Sequence, residues 1–255
     1  MRTRVAQVDP ALGAVSENAN KLEQSIRRAR RDDVELLVFP EMYLSGYDLS
    51  LADRDPTAIA AEAADELDRV ARLTDDVTVI VGTPIADDSG VRNAAAVLDD
   101  GRWTDTYAKS HLYDAESEAF APGDALPVID TSAGRLGVMI CYDVEFPEVA
   151  RKLTLDGAEA LISIWCQMRP FEDYMDAFLR ARAMENVRPH VLCNRIGTEG
   201  DLEFHGASGI VSAAGAPLVT AGEDVEVEIT ADVDLDSGGH ETLTYLDDRR
   251  PEMYE

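Results

Sequence analysis

Lysine is nearly missing from this sequence. Only three of its 255 residues are Lys (Lys21, Lys109 and Lys152), and the 23 Lys and Arg together face 50 Asp and Glu, a formal charge of −27. Phosphate contacts need clustered bases, so no nucleic-acid partner is expected. Long apolar runs are missing as well. No uninterrupted stretch approaches the roughly 18 residues of a membrane span, so no membrane partner is expected either. The opening stretch "MRTRVAQVDPALG" has two arginines but no apolar segment of signal-peptide length, which argues against export. Cysteine is scarce and odd in number: Cys141, Cys166 and Cys193 show neither metal-type spacing nor a disulfide framework. A reduced, cytoplasmic setting fits that pattern.

The acidic excess speaks of solvent. At ordinary ionic strength such a surface repels itself, whereas concentrated salt screens the repulsion within a few Å. The composition therefore points to a halophile with a salt-loaded cytoplasm.

Strand and helix patterns alternate along the chain, with no linker and no low-complexity stretch. "TRVAQVD" reads as a strand, and residues from about 16 to 31 as an amphipathic helix with Leu22, Ile26 and Ala29 inward. "ELLVFP" is a short buried strand. Asp55-Pro56 supplies an N-cap and a proline at the first helical position, opening a helix to about Leu73. "VTVIVGTP" is a strand, and hairpins are expected around Asp99-Asp100-Gly101 and Ser132-Ala133-Gly134. A helix from about 146 to 156, the strand "ALISIW", a helix from about 170 to 187 and the strand "HVLCNRIG" follow, with further strands in "ASGIVSAAGAP" and "VEVEITADV". Hairpins inside an alternating pattern exclude a purely parallel sheet. The expected architecture is a four-layer α-β-β-α sandwich of two mixed sheets, forming a single domain over residues 1–255.

Three strands end in chemistry. Cys141 closes the apolar run "LGVMI" and is followed at once by polar residues and a helix start, a setting that favours a thiolate. Glu41 follows "LLVFP", where partial desolvation should raise its pKa towards that of a general base. Lys109 follows "TDTYA", and an ammonium beside a thiol lowers the thiol's pKa and can stabilise an oxyanion. Cys166 and Cys193 lie in or beside apolar strands and read as packing. A histidine base is the familiar partner of a thiol, but none of His111, His190, His205 and His240 stands in a context that selects it. A metal-dependent phosphoesterase would need Asp, Asn and His clustered at strand ends, and no such cluster is visible.

In this order and spacing, "FPEMYLSGY", "YAKSHLYD" and "CYDVEFPE" resemble the nitrilase superfamily of carbon–nitrogen hydrolases. "LRARAMENVRPHVLCNRIG", "GASGIVSAAGAPL" and "DDRRPEMY" extend the resemblance over nearly the whole chain. It implies the same α-β-β-α sandwich, with Glu41 as general base, Lys109 as oxyanion stabiliser and Cys141 as nucleophile. Many members have a second active-site glutamate between the lysine and cysteine motifs. Both Glu116 and Glu118 lie there, and counting back from Pro122-Gly123-Asp124 selects Glu116. The backbone N–H of Tyr142 would be the second oxyanion donor, and Tyr47, Trp165 and Gln167 fall where a substrate pocket is expected. No metal or organic cofactor is implied. The implied reaction is hydrolysis of a small-molecule amide or N-carbamoyl substrate through a thioester, with nitrile hydrolysis or a catalytically silent binding protein as alternatives. A homodimer or higher homo-oligomer is also implied, with a C-terminal tail from about 236 to 255 reaching across the pair.

Overall fold

The computed structural model describes residues 1–236 and 243–254. Its first six-stranded sheet runs, edge to edge, β14 (Val227–Asp232), β1 (Arg2–Gln7), β2 (Leu36–Val38), β3 (Thr78–Asp87), β4 (Gly90–Asp99) and β5 (Arg102–Ala108). The second runs β13 (Pro217–Thr220), β12 (Gly209–Val211), β9 (His190–Asn194), β8 (Ala160–Trp165), β7 (Gly134–Ile140) and β6 (Val128–Thr131). Both are mixed: β1, β2 and β3 are parallel neighbours, as are β7, β8 and β9, and antiparallel strands flank each trio. A separate hairpin joins β10 (Ile196–Glu199) to β11 (Leu202–His205).

Alternation along each central strand splits its side chains between two cores. Val5, Leu36, Val38 and Ile80 of the first sheet meet Ile140, Ile162, Ile164 and Val191 of the second in the core between the sheets. The other face of the first sheet packs on α1 (Val15–Arg31) and α2 (Pro56–Ala71), where Leu22, Ile26 and Ala29 are buried as their spacing predicts. The outer face of the second sheet packs on α4 (Pro147–Leu155) and α5 (Glu172–Asn186) through Leu153, Leu161, Leu179 and Trp165. Two faces buried per sheet explains why "LGVMI" and "ALISIW" are continuously apolar. The result is the expected α-β-β-α order.

Local signals held where they had a mechanism. The Asp55 carboxylate accepts from the Thr57 N–H at 2.7 Å, and Pro56 opens α2. Both hairpins form at the expected turns. Short elements escaped: α3 (Glu116–Ala119), β13 and the β10–β11 hairpin. The strand expected over "HVLCNRIG" breaks at Arg195, whose buried guanidinium is tied to Asp9 and Glu199. The helix expected from Phe146 starts at Pro147, preceded by a 3₁₀ turn over Cys141–Glu145. Of the expected tail, residues 237–242 and 255 lie outside the described residues; within the rest, Pro251–Met253 forms a 3₁₀ turn.

Candidate active site

Each candidate side chain leaves a strand where the backbone is pinned. After β2, the chain turns at Pro40, and the carbonyl of Pro40 accepts from the Gly82 N–H at 3.1 Å. Gly82 is glycine for lack of room: a Cβ there would lie 2.3 Å from the Pro40 oxygen and 2.5 Å from Glu41 Cα. Lys109 follows β5, its N–H donating to the Asn93 carbonyl and its own carbonyl accepting from Gly123, both at 2.8 Å. Cys141 follows β7 with φ at +45°, a left-handed backbone that costs a non-glycine residue free energy and persists only where the surroundings enforce it. Asp143 does the enforcing. Its buried carboxylate accepts from the N–H groups of Ile140 (3.0 Å) and His111 (2.9 Å) and from the Tyr107 hydroxyl (2.7 Å).

The two sheets bring these strand ends to one place. Lys109 Nζ donates at 2.8 Å to Oε1 of Glu41 and at 2.8 Å to Oε1 of Glu116, with Lys109 and Glu41 0% exposed. Asn93 Nδ2, from β4, reaches Glu41 Oε1 at 2.7 Å and Glu116 Oε1 at 3.3 Å. Glu116 also accepts from the Tyr47 hydroxyl (2.9 Å) and, through Oε2, from the Tyr113 N–H (2.7 Å). Glu41 Oε2 is buried and has no hydrogen-bond partner among the described residues. Glu118, by contrast, is exposed.

Burial in this net-negative cluster sets the proton affinities. Glu41 is pushed above the usual carboxylate range by desolvation, with the Glu116 charge adding and Lys109 and Asn93 opposing. Desolvation alone would lower Lys109, but Glu41, the Cys141 sulfur and Glu116 hold it well above its ordinary value. The Cys141 thiol is pushed well up, by desolvation first and Glu41 second, with Lys109 only partly offsetting them. The ammonium acts on the thiol in the expected direction, but desolvation and Glu41 outweigh it.

A cavity of about 770 Å³ opens beside this cluster, and its walls include Tyr47, Tyr113, Glu116, Met168, Glu199 and Leu202. Trp165 and Gln167 do not line it. Trp165 is wholly buried among Met139, Val144, Met175 and Leu179. The Gln167 side chain donates to the Phe171 carbonyl at 3.2 Å. Among the described residues no group of three or more His, Cys, Asp or Glu is arranged to hold a metal ion, and no helix is long and apolar enough to cross a membrane.

The family profile described as carbon-nitrogen hydrolase matches residues 2–240. The chain belongs to the carbon–nitrogen hydrolase family. Among relatives of this hydrolase, an (R)-stereoselective amidase of a Pseudomonas species is 34% identical over 86% of this chain and 80% of its own length. A nitrilase of Pyrococcus abyssi is 31% identical over 100% of this chain and 99% of its own. Among solved structures, a variant of the amidase from Nesterenkonia sp. AN1, with the acetamide moiety of fluoroacetamide on its active-site cysteine, superposes with a TM-score of 0.86. It is 27% identical, over 100% of this chain and 95% of that one.

The hydrolase's Cys166, Cys193, His111 and His190 are otherwise engaged. Cys166 Sγ donates to the Glu41 carbonyl at 3.2 Å, and Cys193 Sγ to Ala6 and Val38 carbonyls at 3.4 Å, both deep in the core. His111 pairs with Asp143 through Nδ1 at 2.9 Å and stacks on Phe146. His190 is buried between Ser163 and the Leu179 carbonyl, whereas His205 is buried in β11 with neither ring nitrogen hydrogen-bonded among the described residues. His240 lies outside the described residues. Sequence reasoning missed Asn93 and Asp143. A polar residue inside the apolar strand "NAAAVL" was the available signal for Asn93.

Proposed function

We propose that this carbon–nitrogen hydrolase cleaves a small-molecule amide or N-carbamoyl compound through a thioester on Cys141. The observation that carries the proposal is the half-satisfied carboxylate of Glu41: Lys109 and Asn93 fix Oε1, and Oε2 is left free to take a proton. In this reading Glu41 Oε2 accepts the Cys141 proton as sulfur attacks the substrate carbonyl. Lys109 Nζ and the Tyr142 N–H hold the oxyanion. Collapse of the adduct breaks the C–N bond, and Glu41 returns its proton to the departing ammonia or amine. Water then attacks the thioester, Glu41 takes its proton, the C–S bond breaks and the sulfur is reprotonated. Glu116 receives no proton; it holds Lys109 in place. Keeping an ammonium between two carboxylates out of water gains a fold little, so function is the better reason for the cluster. Tyr47 stands at the substrate cavity. No metal or organic cofactor takes part.

The amidase relatives support an amide substrate. The nitrilase of Pyrococcus abyssi supports a second reading, in which sulfur adds to a nitrile carbon. An ammonia-release screen of amides, carbamoyl amines and nitriles in molar KCl decides between them, with Cys141→Ala as control and intact-mass detection of the acyl-enzyme. Turnover of an amide with a thioester on Cys141 is expected. Wild-type-like turnover by Cys141→Ala would end the proposal.

The chain is further proposed to act as one domain in the cytoplasm of a halophile, as a homodimer or larger assembly. The −27 charge supports the salt setting. Exposed Leu155, Tyr174 and Met184 on the outer helices α4 and α5 support pairing through that face. Light scattering in molar KCl should exceed the 27.8 kDa of one chain, and thermal melting should rise steeply with KCl.

A further inference from the structure

Besides Glu116, the wall of the cavity holds a second buried carboxylate that the mechanism does not use. Glu199, at the end of β10, is 5% exposed. Its carboxylate accepts from the Tyr47 N–H at 2.9 and 3.2 Å and from the Asp48 N–H at 2.8 Å. It also pairs with the guanidinium of Arg195, which is itself wholly buried. Charge balance alone does not require it, because Asp9 already meets the other arm of Arg195 at 3.1 Å. What Glu199 does alone is grip two consecutive backbone N–H groups of the loop that carries Tyr47. The same hairpin supplies Phe204, which lies under Arg195 (4.2 Å from Cζ to the ring centre) and meets the Tyr47 ring edge-on at 6.0 Å. Gly46 lets the loop come this close: with φ at +77°, a Cβ there would sit 2.9 Å from Glu199 Oε1 and 2.8 Å from Leu12 Cα.

We infer that Glu199 is a positioning residue for the reaction proposed above, acting through Tyr47 on Glu116 and thereby on Lys109. The linkage is continuous: Glu199 fixes the Tyr47 backbone, the Tyr47 hydroxyl donates to Glu116 Oε1 at 2.9 Å, and the same oxygen accepts from Lys109 Nζ at 2.8 Å. The β10–β11 hairpin, which belongs to neither main sheet, is in this view the part that aims the oxyanion donor.

A double-mutant cycle tests the inference, which rests on the function proposed above. Tyr47→Phe removes a hydrogen bond to a charged group and should lower kcat several-fold, up to about tenfold. Glu199→Gln should lower it comparably, and the double variant should lie within about twofold of the worse single variant, because both act through one contact. Asp9→Asn, which removes the charge facing the other arm of Arg195 and leaves the grip of Glu199 on Tyr47 in place, should keep kcat within about twofold. If Glu199→Gln folds poorly, Glu199→Asp keeps the charge but draws the carboxylate back from the two N–H groups, and it should show the same loss and the same non-additivity. The cycle is read twice, on amide turnover and on the rate of Cys141 alkylation by iodoacetamide, which needs no substrate. Losses that multiply in the double variant, or wild-type kcat in Glu199→Gln, overturn the positioning role while leaving the thioester reading intact. A wild-type protein that neither turns over any amide nor alkylates at Cys141 overturns both.

Discussion

Glu41 and Glu116 share one ammonium but not one environment. Each has an oxygen 2.8 Å from Lys109 Nζ, yet every remaining acceptor direction that matters on Glu116 is filled, by Tyr47, Asn93 and the Tyr113 N–H, while Oε2 of Glu41 has no partner among the described residues. A carboxylate that must pick up and hand over protons needs a free oxygen and a raised proton affinity. Glu41 has both.

Replacing each by its amide separates the two roles. Glu41→Gln keeps the shape but cannot accept the thiol proton, and kcat should fall on the order of 10²–10⁴. Glu116→Gln should lose on the order of tenfold, because Lys109 keeps its bond to Glu41. Single-turnover rates of acyl-enzyme formation check this; a larger loss in Glu116→Gln would reverse the assignment.

Lys109→Arg should fold and still lose at least 10²–10³ in kcat, the scale of one oxyanion donor. Lys109 sits as a point charge between two carboxylate oxygens, whereas a guanidinium is planar and would pair bidentately with one of them. The same change at exposed Lys21 or Lys152 should be nearly silent. Activity within about threefold of wild type in Lys109→Arg would leave Lys109 as mere wall charge.

Gly82→Ala adds one methyl group against the backbone that carries Glu41. Its Cβ would overlap backbone at Pro40, Glu41 and Met42, none of which is the yielding end of a side chain. The Glu41 backbone must move, so activity should fall on the order of a hundredfold, as ångström-scale misplacement does. Equal activity at unchanged melting temperature would show that the turn has slack.

His190 sets an acid limit on stability. Burial pushes its pKa down to about 4, with Nδ1 facing the Leu179 carbonyl and Nε2 facing the Ser163 hydroxyl. An unfolded chain binds a proton at this imidazole below about pH 6.5, and the folded one only near pH 4. Stability from this group is therefore fully present above pH 6.5 and declines by about 3 kcal/mol as pH falls to about 4. Urea titrations across that window should show the slope, and His190→Gln should flatten it. An unchanged slope in the variant would assign the acid sensitivity elsewhere.

How legible the site was depended on distance along the chain. Glu41, Lys109 and Cys141 each stand at or just past the end of a strand, so punctuation in the sequence marked them, and the structure brings them into one cluster with Glu116. Asn93 sits mid-strand in β4, and only the pairing of β4 with β3 and β5 turns it towards the carboxylates. Glu199 and Asp143 act through backbone N–H groups, whose positions carry no signature in residue type. Four-residue strands such as β10, β11 and β13 are too short for alternation to show. Trp165, placed at the pocket by the family resemblance, packs its side chain against the helices and does not line the cavity. The direction of the lysine's effect on the thiol was legible, but the desolvation that outweighs it is set by burial and has no mark in the sequence.

The sheet that carries Glu41 and Lys109 is closed by its first and last strands. β1 pairs antiparallel with β14 from Arg2↔Asp232 to Gln7↔Val227, and Arg4 Nε donates to Thr230 Oγ1 across 226 positions of sequence. On a ribosome adding about 5–20 residues per second, β1 waits roughly 10–45 s for that partner. Throughout translation its outer edge offers unpaired backbone to any neighbouring nascent chain. Every residue of the cluster has been synthesised by then, but the sheet that holds base and ammonium is complete only when the final strand docks. Activity should thus appear as a late event in the life of each polypeptide, once β14 has been made and has docked on β1.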